Sequence, residues 1–288
     1  MNTLSLPSIF VSHGSPMIAL QPGAAGAFMQ RLGGQIRATF GKPRAILMVS
    51  AHSTARRPVL LAAAQHEAVY DFGGFDPRLY QLRYDAPGDP ALATQVAALL
   101  TQAELPHHML RNHELTPGGL DHGAWTALRY LFPAADVPVL PLAFVPSQSP
   151  AQQFALGEAL QSLRDEGVLV IGSGSITHNL GRVFGGSGMP SEDAPEIRES
   201  AEFRQWFADR SAARDWDALF NYRTQAPFAV DMHPTDEHLL PWFVAAGAGG
   251  RADPALRLHS GVSMGCLGMD AYAFGASAGA LVSSTPVV

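Results

Sequence analysis

The chain has 288 residues, 47% hydrophobic and 15% charged, with a formal net charge of -6 and 19 lysines and arginines. That is enough apolar material for a sizeable core, and no basic run has the length of a phosphate-tracking surface, so no nucleic-acid partner is expected. A single cysteine, Cys266, excludes an internal disulfide and a cysteine-based zinc cluster, which leaves the 11 histidines to be sorted as soft ligands.

The start, "MNTLSLPSIF", lacks the basic and long apolar regions of a signal peptide, and no stretch approaches a membrane span. The expectation is a cytoplasmic protein with no membrane partner. "SLPSIFVSHGSP", from Ser5, reads as an apolar strand ending on His13. "GAAGAFMQRLGGQI" sets Phe28, Met29 and Leu32 at helical spacing and leads to a second strand, Ala45 to Val49, which runs through Ser50 to His52. A short strand, "VLLAA", starts near Val59. The stretch "AVYDFGGFDPRLYQLRYDAPGDP" is rich in Gly, Asp, Pro and aromatics without a sustained period, so it reads as a long loop of the kind that carries function.

Asp89, with Pro90 at the first helical position, opens an amphipathic helix, and Asp121 is placed to cap another that carries His122 in its first turn. "VPVLPLAFV" is the next strand, and "AQQFALGEALQSLRDEG" is a helix closing on Gly167. Val168 to Ile171 form the strand after it, followed by a Gly/Ser loop and His178. "EIRESAEFRQWFADRSAARDWDALFNY" is a longer helical region. In "PTDEHLLPWFVAAGAGG", Thr235 is the expected N-cap of a last helix with His238 in its first turn and Gly247 to Gly250 as its stop. The alternation predicts a single α/β domain over residues 1–288, with a central, mostly parallel sheet flanked by helices. Three strands each deliver an imidazole past their carboxyl end, the edge where such sheets bind ligands.

A divalent transition metal without thiolates takes two or three imidazoles, with or without a carboxylate. His13, His52, His122, His178 and the pair Glu237 and His238 match that context, although any one of them is equally readable as a structural strand or helix cap. His66, His107, His108 and His259 read as solvated surface residues. His113 and His233 stand between, His233 either orienting a helix entry or touching substrate. "GVSMG", Gly261 to Gly265, fits a nucleophile elbow, but no histidine follows Ser263, so it reads as a tight turn. "GSGS", Gly172 to Ser175, lacks the endings of phosphate-binding loops and reads as backbone that approaches a ligand closely.

"HGSPM", "VSAH", "DFGGF", "YDAPGDP", "GLDHGAW", "GSGSITHNL" and "HPTDEHLLP", in that order, resemble the class III extradiol ring-cleavage dioxygenases of the 4,5-DOPA dioxygenase-like branch, over nearly the whole chain. The resemblance implies a non-haem Fe(II) centre, with zinc as the alternative. It also implies a small-molecule catechol, DOPA-like or related, and O2 as the reactants. Carried over, His13, His52 and His238 would hold the metal, His178 would be the acid/base or a fourth ligand, and His122 would line the substrate pocket. Asp121, His233, Phe72 and Phe75 are further candidates for substrate contact, with Tyr80 as another wall and Arg78 and Arg83 as partners for a substrate carboxylate. Neighbours on a helix point about 100° apart, so only one of Glu237 and His238 can face the metal, and the register favours His238. The rivals are a zinc-dependent hydrolase using the same histidines and a non-catalytic metal-binding protein on the same scaffold. A homodimer is the default expectation at this size.

Overall fold

The computed structural model describes residues 4–111, 119–185 and 188–282, which leaves His113 outside the described residues. Eight strands join in one sheet: β1 (Ser8–Ser12), β2 (Ala45–Ser50), β3 (Val59–Ala62), β4 (His108–Arg111), β5 (Val139–Ala143), β6 (Val168–Gly174), β7 (Leu256–His259) and β8 (Ala271–Phe274). Their spatial order is β7-β8-β1-β6-β2-β5-β3-β4. The centre, β1-β6-β2-β5, is parallel throughout, while β8 runs antiparallel to β1 and β3 antiparallel to β5.

The helices of nine residues or more are α1 (Gly23–Phe40), α2 (Pro90–Gln102), α3 (His122–Leu131), α4 (Pro150–Glu158), α5 (Arg198–Ala213) and α6 (Leu240–Gly249). They cover both faces of the sheet, which is why its central strands read as nearly continuous apolar runs. Side chains alternate between two buried clusters. Ile9, Val11, Ile46, Met48, Leu169 and Ile171 pack on the face of α1 and α3, and Phe10, Leu47, Val49, Val168 and Val170 on the face of α4 and α6. Among the described residues no helix is long and apolar enough to cross a membrane.

Three expectations change. The helix closing on Gly167 is α-helical only to Glu158 and continues as a 3-10 turn over Gln161–Glu166. The last helix starts at Leu240, not at Thr235, because a start at Thr235 would put Pro241 in the helix interior, where its ring clashes and its missing N–H breaks a bond. Residues before it form a turn instead, with Asp236 O accepting from the N–H groups of Leu239 and Leu240. His66, expected on the surface, is fully buried in the strand Gln65–Ala68, which pairs with Ala86–Pro87 and Gly119–Leu120 in a small second sheet. "GVSMG" is the tight turn that was expected: Met264 and Gly265, both at positive φ, connect Val262–Ser263 to Leu267–Gly268.

Candidate active site

Strands β1, β6 and β2 are adjacent and parallel, so His13, Ser175 and His52 emerge side by side at one edge of the sheet. His238 reaches the same edge from the turn before α6. Its carbonyl accepts the Ser175 N–H at 2.9 Å, and a Cβ at Gly174 would stand 2.0 Å from that carbonyl oxygen, so any side chain at 174 displaces His238. The result brings ligand-type nitrogens of His13, His52 and His238 within 4.8 Å of one another.

The hydrogen bonds fix which nitrogens are bare. Ser173 Oγ donates its one proton to Gly123 O at 2.6 Å, so it must accept from His13 Nδ1–H at 2.9 Å. The His13 lone pair is therefore on Nε2, which lies 3.1 Å from Nε2 of His52. Likewise a carboxylate only accepts, so Glu237 Oε1 takes Nδ1–H of His238 at 3.3 Å and leaves its Nε2 bare. Burial lowers the pKa of His13, His52 and His238, and mutual repulsion among the imidazoles adds to it. All three are neutral at neutral pH, the form that binds a metal. Because Glu237 and His238 sit in a turn, the helical spacing argument does not separate them. The hydrogen bond does, with Glu237 supporting the ring of His238.

One carboxylate that the sequence reading passed over joins the group. Asp71 Oδ1 accepts the His122 backbone N–H at 2.8 Å, and Oδ2 accepts His122 Nδ1–H at 3.0 Å, with His52 Nδ1 at 3.8 Å from the same oxygen. Burial alone would raise the pKa of Asp71, but the hydrogen bonds and charge of His122 outweigh it and hold the carboxyl below its ordinary value. The pair commits Nδ1–H of His122 as the donor and fixes the orientation of its ring. Only the Asp71 of "DFGGF" signalled this, and nothing in that motif says which histidine it meets.

His178 stacks flat on His238, with ring centroids 3.5 Å apart. Its backbone N–H is tied to Met232 O, while its ring nitrogens have no hydrogen-bond partner among the described residues. Burial first, and then the neighbouring His233, lower its pKa to about 4. That is well below the ordinary histidine value, because desolvation disfavours the imidazolium more than Glu237 favours it.

These groups form the floor of an open cleft of about 1000 Å³. His13, His52, His122, His178, Glu237 and His238 line it, and two apolar groups, Phe72 with Phe75 and Leu180, Val183, Met264 with Leu267, complete its walls. Two candidates for substrate contact lie behind the lining. Asp121 is buried, and its carboxylate accepts from Ser50 Oγ at 2.5 Å, Ser53 Oγ at 2.6 Å and the Ala124 N–H at 3.1 Å, tying the end of β2 to the start of α3. His233 is fully buried and donates Nε2–H to Ile176 O at 2.7 Å, bracing the loop that presents His178. Tyr80 also lies outside the lining and packs behind Phe72. Arg78 and Arg83 point away, paired with Asp76 and Asp85 at the surface.

A family model described as the catalytic LigB subunit of aromatic ring-opening dioxygenase matches residues 7–275. A protein of Beta vulgaris named 4,5-DOPA dioxygenase extradiol is 34% identical, the alignment covering 93% of this chain and 96% of that one. A protein of the same name from Escherichia coli is 33% identical over 93% of this chain and 94% of its own length. The crystal structure of an uncharacterized protein from Escherichia coli K12 superposes with a TM-score of 0.70 at 29% identity, covering 94% of this chain and all of the other. A match of this extent, on a fold that gathers its histidines at one sheet edge, shows that the chain belongs to the LigB family of aromatic ring-opening dioxygenases and is an extradiol ring-cleaving enzyme.

Proposed function

We propose that the substrate is a catechol, that the working metal is Fe(II), and that His13, His52 and His238 hold it. The observation that carries this reading is the convergence of three neutral imidazoles, two of them with the bare nitrogen set by a hydrogen bond on the other, at the floor of an open cleft. The donor set fits the metal: three imidazoles without a thiolate suit Fe(II) or Zn(II) and leave positions open for small molecules. The partners Ser173 and Glu237 are of the kind that orient metal-binding histidines. Fe(II), when bound, would supply a Lewis acid that favours the catecholate form and the electron that O2 chemistry requires.

The chain's own groups supply the rest. His178, with pKa near 4, is neutral at working pH, lines the cleft and has no hydrogen-bond partner for its ring nitrogens among the described residues. It can take the proton of a catechol hydroxyl and, as a strong acid once protonated, return it. His122, with Nδ1–H committed to Asp71, offers Nε2 to a substrate hydroxyl. Phe72, edge-on to His122 with centroids 5.7 Å apart, and Phe75 give the aromatic ring an apolar wall.

The test is anaerobic reconstitution with Fe(II), followed by O2 uptake with a panel of catechols and a watch for a new yellow absorbance, with zinc-loaded protein as control. Uptake stoichiometric with substrate in the Fe(II) protein and none with zinc is the expected result. A filled metal site with no uptake across the panel overturns it.

A further inference from the structure

Away from the histidines proposed to hold the metal, the cleft is lined by carboxylates and hydrocarbon, with no lysine or arginine. Asp76, Glu192 and Glu237 line it, and none of the chain's 19 lysines and arginines does. All 19 fall within the described residues, so none is hidden in the segments left out. Of the two arginines nearest the mouth by sequence, Arg78 is paired with the cleft-lining Asp76 and offsets that charge, and Arg182 is committed to Asp231 outside the lining. Among the described residues the Glu192 carboxylate accepts only a hydroxyl, from Ser263 at 2.6 Å, and that of Glu237 only Thr235 Oγ1 and the neutral His238, so neither is paired with a lysine or arginine.

A second cavity of about 290 Å³ extends the pattern. It shares Gly14, Ser15, Met17, Gln21 and Glu192 with the cleft and adds Asp193, again with no lysine or arginine in its lining. Glu192 lines both cavities and Leu180, Val183 and Met264 line the cleft, so a substituent that extends from the cleft toward the second cavity meets a carboxylate and hydrocarbon. A carboxylate there would lose hydration without gaining a counter-charge.

Resting on the catechol reading above, we propose that this site takes catechols whose side arm is uncharged or carries a protonated amine and discriminates against an arm carboxylate, with Glu192 as the specificity-determining residue. This separates the chain from any relative whose substrate must be held by its carboxylate.

The test reads binding apart from turnover. Calorimetry on the redox-inert zinc-loaded protein compares catechols with an ethyl, an aminoethyl and a carboxyethyl arm. The carboxyethyl compound is expected to bind about two- to fivefold more weakly than the other two, the scale of a solvated charge interaction. Glu192→Arg, at an exposed position, is expected to abolish or reverse that ratio, with the ethyl compound as the reference for binding in the variant. A carboxyethyl compound that binds as tightly as the aminoethyl one, or a ratio untouched by Glu192→Arg, overturns the inference while the catechol reading stands. Binding of none of the three overturns the catechol reading, and the inference with it.

Discussion

The floor and the walls of the cleft are built on different principles. The floor is set on parallel strands: His13 is 1% exposed, Ser173 is fully buried, and both are locked by hydrogen bonds that run on to the backbone of α3. The outer wall is set on loops and a single short helical turn, where Phe184 and Met189 are 61% and 63% exposed. Strand ends hold groups to the tolerance that bond making needs, whereas loops change residues without disturbing the core. Substitutions in the floor should therefore alter metal binding or kcat, and those in the wall KM.

The largest effect is expected at the floor's centre. His13→Ala removes one imidazole and leaves Ser173 without its donor, so metal affinity should fall by more than about a hundredfold, beyond the range seen for supporting groups. Metal per chain after dialysis is the measurement, with His52→Ala, a less deeply buried site, run beside it to separate ligand loss from misfolding. Full metal occupancy in both variants would break the assignment.

His178→Ala tests the same floor from the chemical side. Its ring makes no structural hydrogen bond among the described residues, so metal content should hold while kcat drops roughly a hundred- to ten-thousand-fold, the usual worth of a positioned acid/base. Normal turnover with the metal in place would remove His178 from the mechanism.

These two variants concern residues that the sequence displays openly, because an apolar run ending in histidine is a local pattern and the parallel sheet aligns such ends. The parts that were hidden depend on contacts far apart in the chain. Asp71 meets His122 across 51 residues, through the small second sheet that brings their loops together. Asp121 looked available to substrate, yet two serines at the end of β2 take its oxygens. His238 was found for the wrong local reason, since the turn that presents it is imposed by Pro241 and by the close approach that Gly174 allows.

Asp71→Asn probes that hidden support. The amide keeps one acceptor where the carboxylate had two, so either the His122 backbone N–H or its Nδ1–H loses its partner and the ring is no longer held in one orientation. Turnover should fall about ten- to a hundredfold with metal content unchanged. A change of less than about twofold would place His122 outside the reaction.

The smallest effect on activity is expected behind the wall, at His66. This imidazole is fully buried in the strand that leads into the Asp71 loop, and burial lowers its pKa to about 4, the Val139 backbone offsetting only part of the shift. A base whose folded pKa lies below its unfolded value near 6.5 takes up its proton only on unfolding. It therefore withdraws stability as pH falls from about 6.5 to about 4, and withdraws no more below that. His66→Leu, which supplies a side chain of similar reach with no proton to bind, should leave turnover at neutral pH unchanged and remove up to about 3 kcal/mol of the acid-induced loss. Urea titrations of metal-free protein at neutral pH and near pH 4.5 measure the difference. Parallel stability profiles for the two proteins would mean that His66 is protonated within the fold, and that the second sheet supporting Asp71 accommodates a charge.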